Sequence, residues 1–193
     1  MSYGANTALI VVDMQNDFAD PAGSLYVEEG SDVVTVVNTE IAAARAAGSP
    51  VFYTQDWHPP STPHFAKDGG IWPVHCVMDT WGAGFHPDLD VAGSVIRKGS
   101  NGEDGYSGFT MRDPESGEET ATELAALLTE AEVTQVVVVG LALDYCVSAT
   151  ALDAAHGGWN TSMLSSATRA VDLEPGDGDK ALGKLAAAGV TIS

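Results

Sequence analysis

The sequence is poor in cationic side chains and in cysteine. Lys and Arg number 8 against 27 Asp and Glu, which gives a formal net charge of −19. Because this charge repels a phosphate backbone, we do not expect a nucleic-acid partner. The acidic excess fits either a need for solubility or a salt-rich cytoplasm. With only two cysteines, Cys76 and Cys146, a disulfide scaffold is not expected, and a thiol in a reducing compartment serves chemistry or packing.

Long apolar runs are missing as well. No stretch approaches the ~20 apolar residues that a membrane span requires. The N-terminal segment lacks a basic region and its apolar run ends at Asp13, so we interpret it as a first strand and not as a signal peptide. We therefore predict a cytoplasmic protein with no membrane partner. A length of 193 residues with 45% hydrophobic content suits one domain, 1–193, with a sizeable core.

Short apolar runs alternate with segments of helical periodicity along most of the chain. This alternation indicates βαβ units around a parallel sheet. We therefore expect an α/β fold, a three-layer α/β/α sandwich with a mainly parallel six-stranded sheet. The predicted strands are 8–12, 50–54, 94–98, 134–139, 161–164 and 189–192, and the predicted helices are 32–47, 120–131, 148–157 and 178–188. Two segments, 56–85 and 99–119, stay irregular, and such long loops usually carry function.

Three reactive side chains lie at or just beyond the ends of predicted strands: Asp13, Lys98 and Cys146. The carboxyl ends of parallel strands share one edge of the sheet, where open α/β sheets keep their chemistry. Cys146 also precedes a predicted helix that begins near Val147, and a helix N-terminus favours the thiolate. Each residue has a simpler explanation: a helix cap for Asp13, a solvated cation for Lys98, and a packed thiol for Cys146.

Asp56 and His58 follow the second predicted strand two positions apart, so an extended backbone directs both side chains to one side. His64 and His75 lie within the same segment. Mixed nitrogen and oxygen ligands suit Zn, Fe or Mn better than Ca or Mg. The alternative is that these histidines cap turns beside the prolines of this segment. Cys76, next to His75, could be a further ligand or a bystander.

The ordered motifs resemble the isochorismatase-like cysteine hydrolases, and among them the nicotinamidases, also called pyrazinamidases. The resemblance covers nearly the whole chain. The motifs are VVDMQNDF at 11–18, QDWH at 55–58, WPVHC at 72–76, RKG at 97–99, GYSGF at 105–109 and GLALDYCV at 140–147.

The resemblance implies a role for each matching position. Asp13 is expected to be the general base, Lys98 the cation beside it and Cys146 the nucleophile. The backbone N–H groups of Ala142 and Cys146 are the expected oxyanion donors, and the Leu141–Ala142 peptide lies where the family has a cis bond. Further expectations are one divalent ion (Zn, Fe or Mn) on Asp56, His58, His64 and His75, and substrate contacts from Phe18, Trp72, Tyr106 and Leu141.

The activity implied is hydrolysis of nicotinamide, or pyrazinamide, to the acid and ammonia through a cysteine thioester, within NAD salvage. Two alternatives stay open: a sister hydrolase acting on a carbamoyl or ureido compound or on isochorismate, and a binding protein with an idle triad. Tyr145 and Leu141 depart from the residues common in relatives, which leaves the range of amides open. The role of the metal, in ring orientation or water activation, is also open. Relatives range from monomers to larger assemblies, so a homo-oligomer is compatible with the resemblance.

Overall fold

A single six-stranded sheet forms the centre of the computed structural model, which describes residues 1–193. Its strands are β1 (Thr7–Val12), β2 (Val51–Asp56), β3 (Ser94–Lys98), β6 (Gln135–Leu141), β7 (Asn160–Arg169) and β8 (Thr191–Ile192). The strand order is β3-β2-β1-β6-β7-β8 and every neighbouring pair is parallel. All six predicted strands are present, and the expected α/β sheet is confirmed.

Helices cover both faces of this sheet. They are α1 (Asn16–Ala19), α2 (Val33–Ala46), α3 (Leu124–Glu130), α4 (Ser148–His156) and α5 (Asp177–Ala187), with 3-10 turns at Gly30–Asp32 and Ala66–Asp68. Leu9 and Val11 of β1 pack with α1 and α2, whereas Ile10 and Val12 pack with the other three helices. This division follows from the side-chain period of two in a strand. The result is the predicted three-layer sandwich.

The segment 99–119, predicted to be irregular, contains part of a hairpin. β4 (Thr110–Arg112) pairs antiparallel with β5 (Glu119–Ala121). The Asp113 carboxylate accepts hydrogen bonds from the backbone N–H groups of Glu115 and Ser116, which closes the turn between the strands. The helix predicted from residue 120 was therefore placed too early. It begins at Leu124 because the preceding residues belong to the hairpin.

The helix predicted over 148–157 is present as α4, and the turn before it is helical as well. A π-helical turn, Leu143–Val147, leads directly into α4. The Val147 N–H donates to the Ala142 carbonyl at 3.0 Å, which is the wide spacing of a π turn and a common feature of functional sites. No helix is both long and apolar enough to cross a bilayer.

The order of the strands creates a crevice between β1 and β6. From β1 the chain moves outward through β2 to β3, and β6, β7 and β8 occupy the other side of the sheet. Open α/β sheets bind ligands at such a switch point, at the carboxyl ends of the strands. Gly140 makes the close pairing there possible, since a Cβ at its φ of +113° would collide with the Val12 carbonyl.

Candidate active site

The three strand-end residues meet in this crevice. The Lys98 Nζ lies 2.8 Å from Asp13 Oδ2 and 3.7 Å from Cys146 Sγ. All three side chains are buried, and Lys98 is only 1% exposed. A solvated lysine is thus excluded, and the alternatives of a helix cap and an isolated packed thiol do not account for this cluster.

Thr54 of β2 holds the other oxygen of Asp13. Its hydroxyl donates to Asp13 Oδ1 at 2.6 Å and accepts from the Asp13 N–H at 3.2 Å. Asp13 has a φ of 45°, in the left-handed region that aspartate tolerates better than most residues. Sequence reasoning missed Thr54, because its partner lies on another strand 41 residues away.

Burial has the largest effect on the pKa values of Cys146 and Asp13. It raises the pKa of Cys146 well above its ordinary value, against the opposing effect of Lys98. Burial also raises the pKa of Asp13, again opposed by Lys98. Desolvation therefore outweighs any stabilisation of the Cys146 thiolate by the helix N-terminus. Burial thus favours the neutral thiol of Cys146 and makes proton uptake by the Asp13 carboxylate easier.

Lys98 remains a cation although it is completely enclosed. Burial opposes its charge, but Asp13 and Asp56 together raise the pKa of this ammonium group well above its ordinary value. Its Nζ lies 2.9 Å from Asp56 Oδ1 and also donates to the Tyr106 carbonyl at 3.1 Å. Lys98 therefore contacts both Cys146 and Asp56, and Asp56 belongs to a second group of polar side chains.

That second group contains the four predicted metal ligands. Ring nitrogens of His58, His64 and His75 lie within 4.8 Å of one another. Asp56 Oδ2 lies 3.8 Å from His58 Nε2 and 4.0 Å from His75 Nε2. All four residues are buried. The structure brings together every residue of the predicted set.

Several potential ligand atoms of this group lack a hydrogen bond within the protein. Both ring nitrogens of His58 and the Oδ1 of Asp56 are buried without a hydrogen bond, although that oxygen is in ion-pair contact with Lys98. Buried polar atoms normally have partners, so turn-capping histidines do not explain this arrangement. A divalent ion fits, because nitrogen and oxygen donors of this kind are the ligands of Zn, Fe and Mn.

The protonation states also suit a cation. Burial lowers the pKa of His75 to about 4, outweighing the opposite effect of Asp56, so this imidazole is neutral near pH 7. Burial opposes ionisation of Asp56, but Lys98 and His58 outweigh it and hold the pKa of the carboxyl well below its usual range. Neutral imidazole and ionised carboxylate are the forms that bind metals.

An apolar pocket opens beside both groups. It is lined by the four predicted substrate residues, Phe18, Trp72, Tyr106 and Leu141, and by Tyr145, which the sequence already indicated as a determinant of the amide range. Sequence reasoning missed three further lining residues, Leu25, Val27 and Val171. The Trp72 indole N–H donates to the Tyr106 hydroxyl at 3.0 Å. The Tyr145 ring centroid lies 5.0 Å from that of Trp72 and 5.2 Å from that of Tyr106, so three aromatic rings form one wall.

Backbone groups complete the pocket beside Cys146. The Leu141–Ala142 peptide is cis, as the resemblance implied. The Ala142 N–H donates no hydrogen bond to another backbone group, and both Ala142 and Cys146 line the pocket. A free N–H next to the thiol is available to an oxygen of a bound ligand.

Two polar residues of the first motif support the loop that carries the histidines. The Gln15 Nε2 donates to the carbonyls of Asp56 and Ala83 at 2.7 and 2.9 Å. The Asp17 carboxylate accepts the Cys76 N–H at 2.6 Å. Cys76 itself is fully buried and lies outside both clusters of ligand atoms, so it packs and is no ligand.

The chain matches the isochorismatase domain over residues 7–193. It is 36% identical to a nicotinamidase of Escherichia coli, over 96% of this chain and 93% of that protein. A zinc-bound pyrazinamidase of Pyrococcus horikoshii superposes with a TM-score of 0.86 at 38% identity, covering 97% and 98% of the two chains. The structure of the PnC1 protein of L. infantum, in complex with nicotinate, superposes with a TM-score of 0.90 at 34% sequence identity. The match covers 100% of this chain and 95% of that chain.

Proposed function

Because the chain belongs to the isochorismatase family, we propose that it is a metal-dependent nicotinamidase that hydrolyses nicotinamide to nicotinate and ammonia. The observation that carries the proposal is the buried Asp13–Lys98–Cys146 cluster, which opens into an apolar pocket lined by Asp56, His64 and His75. A nucleophile, its base and a metal site thus border one cavity. Relatives with the activity, at 36% identity over 96% of the chain, support it.

The pocket suits a flat, uncharged heteroaromatic amide. Phe18, Trp72 and Tyr106 offer ring faces and edges, and Leu141 adds an aliphatic surface. Aromatic contacts of this kind contribute about 0.5–1.5 kcal/mol per pair beyond the burial of area. With the ring held among these side chains, the carboxamide carbon is directed to the Cys146 thiol.

Acylation begins with proton transfer from Cys146 Sγ to Asp13, whose raised pKa makes it a competent acceptor. The sulfur attacks the carboxamide carbon, and the resulting oxyanion accepts the free N–H of Ala142 together with that of Cys146. Donors of this kind contribute about 3 kcal/mol each. The carbon–nitrogen bond then breaks, Asp13 returns its proton to the leaving nitrogen, and ammonia departs from the thioester.

Deacylation reverses these roles with water as the nucleophile. Asp13 accepts a proton from the attacking water, and the same backbone N–H groups receive the second oxyanion. The carbon–sulfur bond breaks, Cys146 Sγ recovers its proton from Asp13, and nicotinic acid leaves and ionises. Lys98 stays charged throughout and holds the Asp13 carboxylate in position at 2.8 Å.

Asp56, His58, His64 and His75 hold the ion in this proposal. When bound, the ion orients the pyridine ring through its nitrogen or lowers the pKa of the hydrolytic water. A zinc-bound relative with 38% identity favours zinc, and the same ligands accept Fe and Mn. Both cysteines are free, which is consistent with work in a reducing cytoplasm as part of NAD salvage.

Carbamoyl amino acids, ureido acids and isochorismate are weaker candidate substrates. They carry a carboxylate, and no lysine or arginine lines the pocket that would pair with it. A binding protein with an idle triad is disfavoured too, because a buried ion pair beside a thiol is costly unless it serves a site.

Purified protein loaded with Zn²⁺ tests the proposal. Nicotinamide should yield nicotinate and ammonia in a one-to-one ratio, and Cys146→Ala should abolish turnover. Cys76→Ala is the matched control, since this thiol lies outside the ligand clusters, and it should keep turnover. Faster release of ammonia from an N-carbamoyl compound, or full activity in Cys146→Ala, would overturn the proposal.

A further inference from the structure

The three histidines of the metal group differ in what their second ring nitrogen contacts. His64 Nδ1 lies 2.7 Å from the Asp104 carboxylate oxygen Oδ1. His75 Nδ1 lies 2.7 Å from the Pro73 carbonyl. His58 makes no hydrogen bond with either nitrogen. Only His64 therefore has a charged partner behind it.

We propose that Asp104 is a positioning residue that fixes the His64 ring as a metal ligand. This inference rests on the metal site of the proposed function and extends it to a residue outside every motif described above. An acceptor at 2.7 Å requires the hydrogen on Nδ1, which leaves the lone pair on Nε2 for the ion. A carboxylate in this position also increases the donor strength of the imidazole, and such partners typically change metal affinity by about 10–100-fold.

Asp104 is itself held in place from two directions. The Gly105 N–H donates to Asp104 Oδ1 at 2.8 Å. The Asp104 N–H donates to the Arg112 carbonyl at 2.7 Å, and the Arg112 N–H donates to the Asp104 carbonyl at 2.6 Å. Arg112 ends β4, so the small hairpin braces the segment that carries the carboxylate. The hairpin thus has a function in the site, although none of its own side chains enters the metal group.

The ring of the neighbouring His58 is held in a different way from that of His64. His58 packs against the backbone of Gly99, where a Cβ would lie 2.5 Å from Nδ1, so its ring is fixed by lack of space. The His64 ring stacks on that of His58 with centroids 4.8 Å apart. Stacking sets the plane of the His64 ring but leaves its flip open, and the hydrogen bond to Asp104 selects between the two flips.

The test measures Zn²⁺ affinity directly, by competition with a chromogenic chelator, in the full chain. Asp104→Asn should weaken binding by about 10–100-fold. Glu103→Gln is the matched control, because it removes the same charge one residue away, where the side chain contacts only Asn101. This control should bind Zn²⁺ as the unaltered protein does. Equal weakening in both variants, or none in Asp104→Asn, overturns the proposal.

A double-mutant cycle with His64→Ala separates positioning from general destabilisation. If Asp104 acts through His64, adding Asp104→Asn to His64→Ala should change Zn²⁺ affinity by less than about twofold. Additive losses overturn the proposal. Should Asp104→Asn not fold, Asp104→Ser in the same cycle gives the same comparison. Failure of the unaltered protein to bind Zn²⁺ would instead refute the metal site, whereas tight binding with equal affinity in the variants refutes the role of Asp104 alone.

Discussion

The two halves of the site are built in opposite ways. In the catalytic half, defined by Asp13, Lys98 and Cys146, each carboxylate oxygen of Asp13 has a protein donor, from Thr54 and Lys98. In the metal half, defined by Asp56, His58, His64 and His75, both ring nitrogens of His58 are buried without a hydrogen bond. The polar atoms of the first half are paired within the chain, whereas the second half leaves ligand atoms available to a bound group.

The difference follows from where the side chains are carried. Asp13, Lys98 and Cys146 lie at the ends of β1 and β3 and in the turn after β6, where strand register fixes their positions. The histidines lie in a long connection without a sheet strand, held by Gln15 and Asp17. Asp56 ends β2 and contacts Lys98, so it joins the two halves. Residues at strand ends are held rigidly by the sheet. The histidines of the connection would become more rigid when a metal ion binds them.

The largest effect is expected where the halves meet. Lys98→Met leaves Asp13 and Asp56 as buried carboxylates without their shared cation. Removing one partner of a buried pair costs about 3–5 kcal/mol, so denaturant unfolding should show a loss of this size and turnover should vanish. Lys67→Met is the control, because the exposed Lys67–Asp68 pair should contribute less than about 1 kcal/mol. Equal losses in both variants would contradict this dependence on burial.

Removing the metal should destabilise the metal half and leave the reactivity of Cys146 in the catalytic half nearly unchanged. At a free Zn²⁺ concentration about 100 times Kd, the ion contributes about 2.7 kcal/mol of stability, which chelation should remove along with most nicotinamide turnover. Both should return with Zn²⁺. Alkylation of Cys146, whose neighbours are Asp13 and Lys98, should change less than about twofold. A large change in alkylation would mean that the halves are not independent.

A smaller effect is expected from Thr54→Val, which alters the catalytic half alone. The Thr54 hydroxyl stabilises ionised Asp13, and a hydrogen bond to a charged group contributes about 1.5–3 kcal/mol. The Asp13 pKa, already raised by burial, should rise further. Because the proposed mechanism requires ionised Asp13, the acid limb of the kcat/KM profile should move to higher pH by about one to two units. Thr54→Ser should keep the original limb, and an unmoved limb in the valine variant would contradict this role.

The smallest effect concerns the surface, outside both halves. With a net charge of −19, self-repulsion destabilises the fold, and salt screens exposed charges while buried pairs are screened little. Raising KCl from 0.1 to 1 M should raise Tm by on the order of 2–4 °C, or about 1 kcal/mol. The KM for nicotinamide, a neutral molecule, should stay constant. A fall in Tm would contradict a surface dominated by repulsion.

The sheet and the residues at its edge could be predicted from local pattern. The central strands β1 and β6 are short apolar runs, and the position of Asp13 or Cys146 after such a run is a property of its own segment. The activity, in turn, was accessible through motifs that occur in order along the chain. The fold and the family could therefore be predicted from local sequence patterns, each of which is contained within one short segment.

Pairs between distant segments could not be predicted. The Thr54 hydroxyl binds Asp13 from another strand, and Asp104 contacts His64 although strand β3 lies between them in the chain. The hairpin was missed because β4 and β5 are three residues each and closed by the Asp113 side chain. The raised Cys146 pKa depends on burial, a property of the folded chain and not of any segment.

The central position of β1 has a consequence for synthesis of the chain. Leu9 pairs with Val51 on one side and with Val137 on the other, so one edge of β1 stays open until β6 leaves the ribosome. Residues 57–141 separate the end of β2 from the end of β6, and at 5–20 residues per second they take roughly 4–17 s to make. During that interval an apolar strand edge is exposed to other nascent chains. Asp13 meets Cys146 only when this edge closes, so the enzyme becomes active and protected from aggregation in the same late step.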